Sequence, residues 1–287
     1  MKPPQATGRG AARLRRTAEK IFWYVVLCLV ASLTILPFVW VVSTSLKGPE
    51  DLVYSVPPQF IPRDLTFANF VRVWRMLPVA SFFSNSLVVT VTTVVLHLLF
   101  TALAAYPFAK MRFRGRDAIF YVLLATAIVP VQLVYIPSYV LAVNVFKYYD
   151  HIASLIFPNL VSVFNIFLMR QAFKSVPDDL LDAGRIDGAS ELRLWWDILM
   201  PVARPTLATV AINQFVFMWN DFFWPSLMLH TRERMTLQVG LVAMQGAFTS
   251  DTRGVAAGVV MTVVPILILF VVLQRQFVRG LTGAVKG

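Results

Sequence analysis

Six carboxylates and five cationic side chains share the stretch 170–204 of this 287-residue sequence. The acids are Asp178, Asp179, Asp182, Asp187, Glu191 and Asp197; the bases are Arg170, Lys174, Arg185, Arg193 and Arg204. Ionised groups of this kind form charge-assisted hydrogen bonds with an oppositely charged partner. Ser175 and Asp178 stand at capping-box spacing, and Pro177 with Asp178 and Asp179 suits a first helical turn. Gly184 and Gly188 lie one helical turn apart. Each costs a helix roughly 1 kcal/mol relative to alanine, so close approach of another backbone is expected to offset them. Pro201 and Pro205 end the stretch. Two readings are open: an amphipathic connector resting on lipid headgroups, or a docking helix for a cytoplasmic protein. The slight acidic excess weighs against simple attraction to anionic headgroups.

A second set of polar residues sits inside otherwise apolar runs: Asn85, Gln132, Asn159, Asn165, Asn213, Gln214, Asn220 and Asp221. Polar groups in hydrocarbon are costly and face a cavity or a partner. With Tyr135, Phe217, Trp219 and Trp224 as aromatic faces, they could line the path of a sugar. Interhelical hydrogen bonding and an interfacial aromatic belt are the competing readings. Enzyme chemistry has no support. There is no G-x-x-x-x-G-K-[ST] and no H-E-x-x-H, and His97, His151 and His230 are scattered. Asp221 has no second carboxylate within the runs and reads as a gate or subunit contact. No catalytic residue and no metal ligands are assigned, and the single Cys28 excludes an intrachain disulfide framework.

Composition says what must hold these residues. Hydrophobic residues make up 57% and charged residues 14%, with a mean hydropathy of +0.68. A soluble chain carries about 25% charged residues, so the sequence predicts an all-α membrane protein. Six uncharged or nearly uncharged runs suit six spans: Ile21–Leu46, Met76–Ala109, Ala118–Phe146, Ile152–Met169, Pro205–Thr231 and Gly254–Gln274. Met235–Ser250 carries too many polar residues and glycines for a span and reads as a surface or re-entrant segment. The first run exceeds the length of a signal-peptide core and is read as an uncleaved helix. With both termini in the cytoplasm, 18 of the 26 Lys and Arg fall on the inner side, as the positive-inside rule prefers. The net charge of +11 then needs no nucleic-acid partner.

The loop resembles the cytoplasmic motif of binding-protein-dependent ABC importer permeases: E-A-A, three residues, G, nine residues, I-x-L-P. Here it stands as Asp182-Ala183-Gly184, Gly188 and Ile198-Leu199-Met200-Pro201. Asp182 replaces Glu, Gly184 replaces Ala and Met200 replaces Leu. Phe83-Ser84-Asn85-Ser86-Leu87, Arg185-Ile186-Asp187-Gly188-Ala189 and Trp219-Asn220-Asp221-Phe222-Phe223-Trp224-Pro225 are similar to the carbohydrate (maltose/glycerol-phosphate) type. The resemblance implies a type I importer permease fold in a bacterial-type cytoplasmic membrane. Residues 1–20 would form a basic tail, 21–46 a peripheral helix, 47–81 an external segment, 82–275 the five-helix core and 276–287 a second tail. It also implies a second homologous permease, two ATPase subunits holding ATP and Mg, an extracytoplasmic substrate-binding protein and no cofactor in this chain. Asp182, Ala183, Gly184, Asp187, Gly188 and Ala189 would contact the ATPase. Gln132, Asn159, Asn165, Asn213, Asn220, Asp221, Tyr135 and Trp219 are the candidates for the substrate path. External segments 47–81 and 232–253 would meet the binding protein. The rival reading is a secondary transporter driven by an ion gradient, which should show inverted repeats and paired intramembrane charges.

Overall fold

The computed structural model describes residues 8–247 and 251–284. The expected tails and the external segment 232–253 therefore lie partly outside the described residues. Regular structure among those described is helical, apart from one isolated antiparallel bridge between Lys47 and Leu65. The chain divides into two units: one runs to Val73 and takes in the start of the last helix, and the other holds Trp74–Ala247 and the chain from Met261.

In the first unit, α1 (Gly8–Ser45) begins well inside the expected basic tail. Its Arg16–Ser45 portion is apolar on all sides, and no residue of its most apolar window is buried. That is how a lipid-facing helix reads. The external segment that follows is pinned by its own backbone. Gly48 N–H donates to Asp64 O at 2.8 Å, and Thr66 N–H donates to Leu46 O at 2.9 Å. The Asp51 carboxylate accepts the backbone N–H groups of Arg63 and Asp64. Asn69, on α2 (Ala68–Met76), donates to Ser45 O and Lys47 O, both at 2.9 Å.

In the second unit, α3 (Val79–Lys110) is the central helix. Next come α4 (Arg116–Thr126) and α5 (Val131–Val140), the latter continued by a π turn at Leu141–Val145. Then follow α6 (Ala153–Ile156), a 3₁₀ turn at Phe157–Asn159 and α7 (Val163–Lys174). The charged loop holds α8 (Asp178–Ile186), α9 (Glu191–Leu194), a π turn at Trp195–Leu199 and α10 (Met200–Val202). The chain ends with α11 (Arg204–Asn220), α12 (Phe223–Met228), α13 (Leu237–Ala247) and α14 (Thr252–Ala284). Helices α7 and α11 pack along α3.

Two described helices, Arg16–Ser45 and Val79–Lys110, are long and apolar enough to cross a membrane, and up to four spans result if each bent pair counts as one. The expected third run is two helices bent by 94°. The break falls at Pro130, which has no N–H to donate and an extended backbone, ψ 128°. The fourth run bends by 47°. The fifth breaks at Asp221, whose ψ of 120° leaves the helix. Leu237–Ala247, inside the expected re-entrant segment, is an 11-residue helix packed on α3. A Cβ on its Gly240 would fall 2.3 Å from the Phe82 ring, so only glycine allows that approach.

Candidate functional site

The capping box is not formed. Ser175 closes α7 in helical conformation and its hydroxyl donates to Ala172 O at 2.8 Å. Asp178 instead receives Lys110 Nζ at 2.5 Å, and the same ammonium donates to Val176 O at 2.6 Å. Lys110 holds the Asp178 carboxyl below its ordinary range. Helix α8 ends in a Schellman motif. Gly188 N–H donates to Arg185 O at 3.0 Å, Ala189 N–H donates to Gly184 O at 2.9 Å, and Gly188 takes the left-handed φ of 81°. The two glycines therefore do not share a helical face, as their spacing had suggested. A Cβ on Gly188 would meet nothing within 4 Å. A Cβ on Gly184 would fall 2.5 Å from Leu194 Cδ2, so the close approach comes from a side chain of the same loop. Asp182, Ala183, Asp187 and Gly188 are exposed, Gly184 and Ala189 are half-buried, and Ile186 is 87% exposed. Leu181, Leu194, Trp195 and Leu199 anchor the other side of the loop in a core shared with Phe120, Met169 and Phe173.

An ionic clasp joins this loop to the central helix. Arg185 Nη1 lies 2.7 Å from Asp182 Oδ1, and its Nε lies 2.9 Å from Glu191 Oε1. The Tyr106 hydroxyl, on α3, donates to the other oxygen of Glu191. Close by, the buried Arg170 donates to Phe108 O at 3.0 Å and to Asp117 Oδ1 at 3.1 Å, with its guanidinium 4.0 Å from the centroid of Phe120.

The intramembrane polar candidates fall in separate places. His97 is fully buried on α3 and its Nδ1 lies 2.8 Å from Asn159 O. A carbonyl only accepts, so Nδ1 carries the proton and Nε2 accepts from Asn165 Nδ2 at 2.8 Å. Gln214 Nε2 donates to the same Asn159 carbonyl at 3.4 Å. Asn159 and Asn165 thus belong to a hydrogen-bonded junction of helices. Gln132 and Tyr135 line a cavity of about 550 Å³ with Phe223 of α12. Asn213 and Asn220 are exposed, and Asn220 Nδ2 bonds Val216 O within its own helix. Asp221 Oδ1 accepts Trp224 N–H at 3.4 Å. Trp219 is buried, its ring stacked on Phe215 and its Nε1 donating to Thr262 O. Asn85 holds a loop, donating to Glu233 O at 2.7 Å and to Met235 O at 3.1 Å. Among the described residues no three His, Cys, Asp or Glu side chains converge as metal ligands would.

Residues 61–283 match the family described as binding-protein-dependent transport system inner membrane component. The chain belongs to that family. An arabinooligosaccharides transport system permease protein of Halalkalibacterium halodurans is 31% identical over 278 residues, 95% of this chain and 99% of that one. A melibiose/raffinose/stachyose import permease of Bacillus subtilis is 32% identical over 279 residues, 96% and 100% of the two chains. An sn-glycerol-3-phosphate transport permease of Yersinia enterocolitica is 30% identical over 280 residues, 94% and 99% of the two chains. The fold is similar to a chain from the crystal structure of a bacterial ABC transporter involved in import of the acidic polysaccharide alginate. That match has a TM-score of 0.79 at 25% identity and covers 96% of this chain and 99% of that one. The resemblance to carbohydrate-type importer permeases is met, and the family is a membrane transport component, not an enzyme. Sequence reasoning did not assign parts to Tyr106, Arg185, Glu191 and His97 in this permease. Arg185 and Glu191 were visible as charges, but Tyr106 and His97 sit in an apolar run with no local pattern to mark them.

One loop of the permease is organised by Asp150, itself at a left-handed φ of 53°. Its carboxylate accepts His230 N–H at 2.9 Å, Thr231 N–H at 3.0 Å and the Thr231 hydroxyl at 2.5 Å. Burial pushes this carboxyl up, but the Thr231 hydroxyl, the two backbone N–H groups and Arg234 outweigh it and hold it at about 2. A depressed carboxylate contributes stability above its unfolded value of roughly 3.9 and loses it as pH falls through the folded value. Amide exchange at His230 and Thr231, corrected for intrinsic rate, should therefore be flat from pH ~7 to ~5 and rise progressively below pH ~4 as pH falls through about 2. Asp150→Asn should raise it about tenfold throughout that range.

Proposed function

We propose that this chain is a pore-forming subunit of an ATP-driven importer that moves a sugar or related polyol by alternating access. In this reading both termini are cytoplasmic and six spans cross the bacterial inner membrane, α11 with α12 and α14 supplying the last two. A second homologous permease completes the pore. Two ATPase subunits hold ATP and Mg, and an extracytoplasmic binding protein delivers substrate to segments 47–81 and 232–253. The observation that carries the reading is the exposed edge of α8, where Asp182, Ala183, Ile186 and Asp187 project from a helix whose opposite side is anchored in the core. Ile186, the most exposed apolar side chain of the loop, suits the centre of a protein interface.

The test is affinity purification of the detergent-solubilised chain from its native membrane. A P-loop ATPase and a second permease should come with it. Ile186→Glu should lose the ATPase and keep the second permease. Recovery of the chain alone in both cases would sink the reading and shift weight to transport driven by an ion gradient.

A further inference from the structure

We propose that the cavity between α5 and α12 is a binding subsite for one ring of a neutral saccharide, carried by this chain without help from its partner permease. The proposal rests on the transport reading above and assigns the part of this chain that holds the cargo.

The cavity measures about 550 Å³, inside the range of roughly 300–1,000 Å³ typical of small-molecule sites. One wall is aromatic and rigid. The Tyr135 ring lies 4.8 Å from that of Phe223, and it is stacked on Trp224 at 6.0 Å with an interplanar angle of 17°. Trp224 is itself fixed, its Nε1 donating to Ser154 O at 2.9 Å in the buried interior. Such a wall presents a flat face for the C–H side of a sugar ring. The break at Asp221, whose ψ is 120°, separates α11 from α12, the helix that carries Phe223.

The rest of the lining mixes Ile136 and Leu227 with polar groups, of which the Ser226 hydroxyl already donates to Phe223 O at 2.8 Å. Gln132, Tyr139, Ser226 and His230 also line the cavity. The Gln132 amide and the hydroxyls of Tyr135 and Tyr139 have no hydrogen-bond partner among the described residues. Within an apolar run such groups face a polar occupant. A lipid tail would leave all three unsatisfied. The His97 junction, by contrast, uses its polar groups on one another.

Charge selects the class of sugar. Among the described residues no Lys or Arg lines this cavity. A phosphate or an acidic sugar would enter without a counter-charge, which burial makes costly. The chemistry therefore fits the neutral cargo named for the arabinooligosaccharide and melibiose/raffinose/stachyose permeases rather than sn-glycerol-3-phosphate or alginate.

The experiment uses the assembled importer, with its ATPase, second permease and binding protein, in lipid nanodiscs. In a Cys28→Ser background, Leu227→Cys places a thiol in the lining. Its labelling rate by a membrane-permeant maleimide is measured with lactose, raffinose or an arabinooligosaccharide present. At least one of these sugars should slow labelling several-fold, and sn-glycerol-3-phosphate should not. Gln132→Leu, an apolar change that suits a membrane helix, should remove the protection and leave labelling without sugar unchanged. Tyr135→Leu should raise the KM for uptake about tenfold with kcat kept, the mark of lost uniform binding. If no neutral sugar protects the thiol while the binding protein still stimulates ATP hydrolysis, the subsite is wrong and the transport reading stands. Equal protection by sn-glycerol-3-phosphate, or protection only by dodecane, would also overturn it. Failure of the unmodified chain to assemble with an ATPase would instead remove the transport reading.

Discussion

Replacing Arg185 with methionine should cut sugar uptake by roughly tenfold or more, while ATP hydrolysis and assembly in the membrane survive. The expectation follows from what the clasp connects. Arg185 holds Asp182 on α8 and Glu191 on α9, and Glu191 receives the hydroxyl of Tyr106 on α3. In the importer reading proposed above, movement of the loop would thereby be passed to the central helix of the unit. Magnitudes separate this role from plain stabilisation. Both ion pairs are partly open to water, with side-chain exposures of 39% and 62% in one and 39% and 46% in the other. Exposed pairs are worth about 0–1 kcal/mol each, so the melting temperature should hardly move. Tyr106→Phe keeps the ring and loses one bond, and should give an intermediate loss. Leu181→Ala serves as the contrast. That side chain is buried and its truncation should cost about 2–5 kcal/mol, lowering stability and uptake together. The measurement is the ratio of sugar moved to ATP hydrolysed in proteoliposomes, beside the melting temperature. An unchanged ratio in Arg185→Met, or a fall in uptake that merely tracks the melting temperature, would reduce the clasp to a structural detail. Arg185, and after it Tyr106, holds the Glu191 carboxyl below its ordinary range. Stability from a lowered carboxylate is lost only as pH falls through that lowered value, so the ratio should stay level from pH ~7 to ~5.

The helical class, the apolar runs and the family resemblance of the charged loop were legible because each leaves a local signature: composition, run length, and a motif with fixed spacing. What the sequence concealed is tertiary. Pro130 and Asp221 were read as residues within spans, yet each is a corner. A window of apolar residues carries no record of a 94° bend. Gly184 and Gly188 looked like one small face. Only the backbone shows that the first makes room for Leu194 while the second ends the helix at positive φ. Capping-box spacing at Ser175 and Asp178 was overridden by a distant residue, Lys110, which claims the carboxylate and bonds Val176 O. The polar path was legible as a set of costly residues but not as a place. Asn159 and Asn165 went to His97 and Gln132 went to a cavity, a division set by which helix faces pack on α3.

Substitutions at Gly188 should rank by tolerance of the left-handed backbone, not by size. The position has φ 81°, and a Cβ would find open space within this chain. For an L-residue that conformation costs roughly 1–2 kcal/mol, with Asn penalised least and β-branched residues most. The strain falls on the bonds Gly188 N–H to Arg185 O and Ala189 N–H to Gly184 O, which set the end of α8 and the entry to α9. Gly188→Asn should therefore keep most uptake. Gly188→Ala should lose several-fold, and Gly188→Val should fall near background with the protein still in the membrane. Each is read as uptake per unit of membrane-inserted chain. If the partner ATPase instead needs a small residue at this spot for steric reasons, the order changes: alanine becomes the best tolerated and asparagine fails with valine. Retention of uptake in Gly188→Asn together with loss in Gly188→Val would place the need for glycine in the helix terminus itself. The geometry that presents Asp187 and Ile186 to a partner would then be fixed within this chain before any partner arrives.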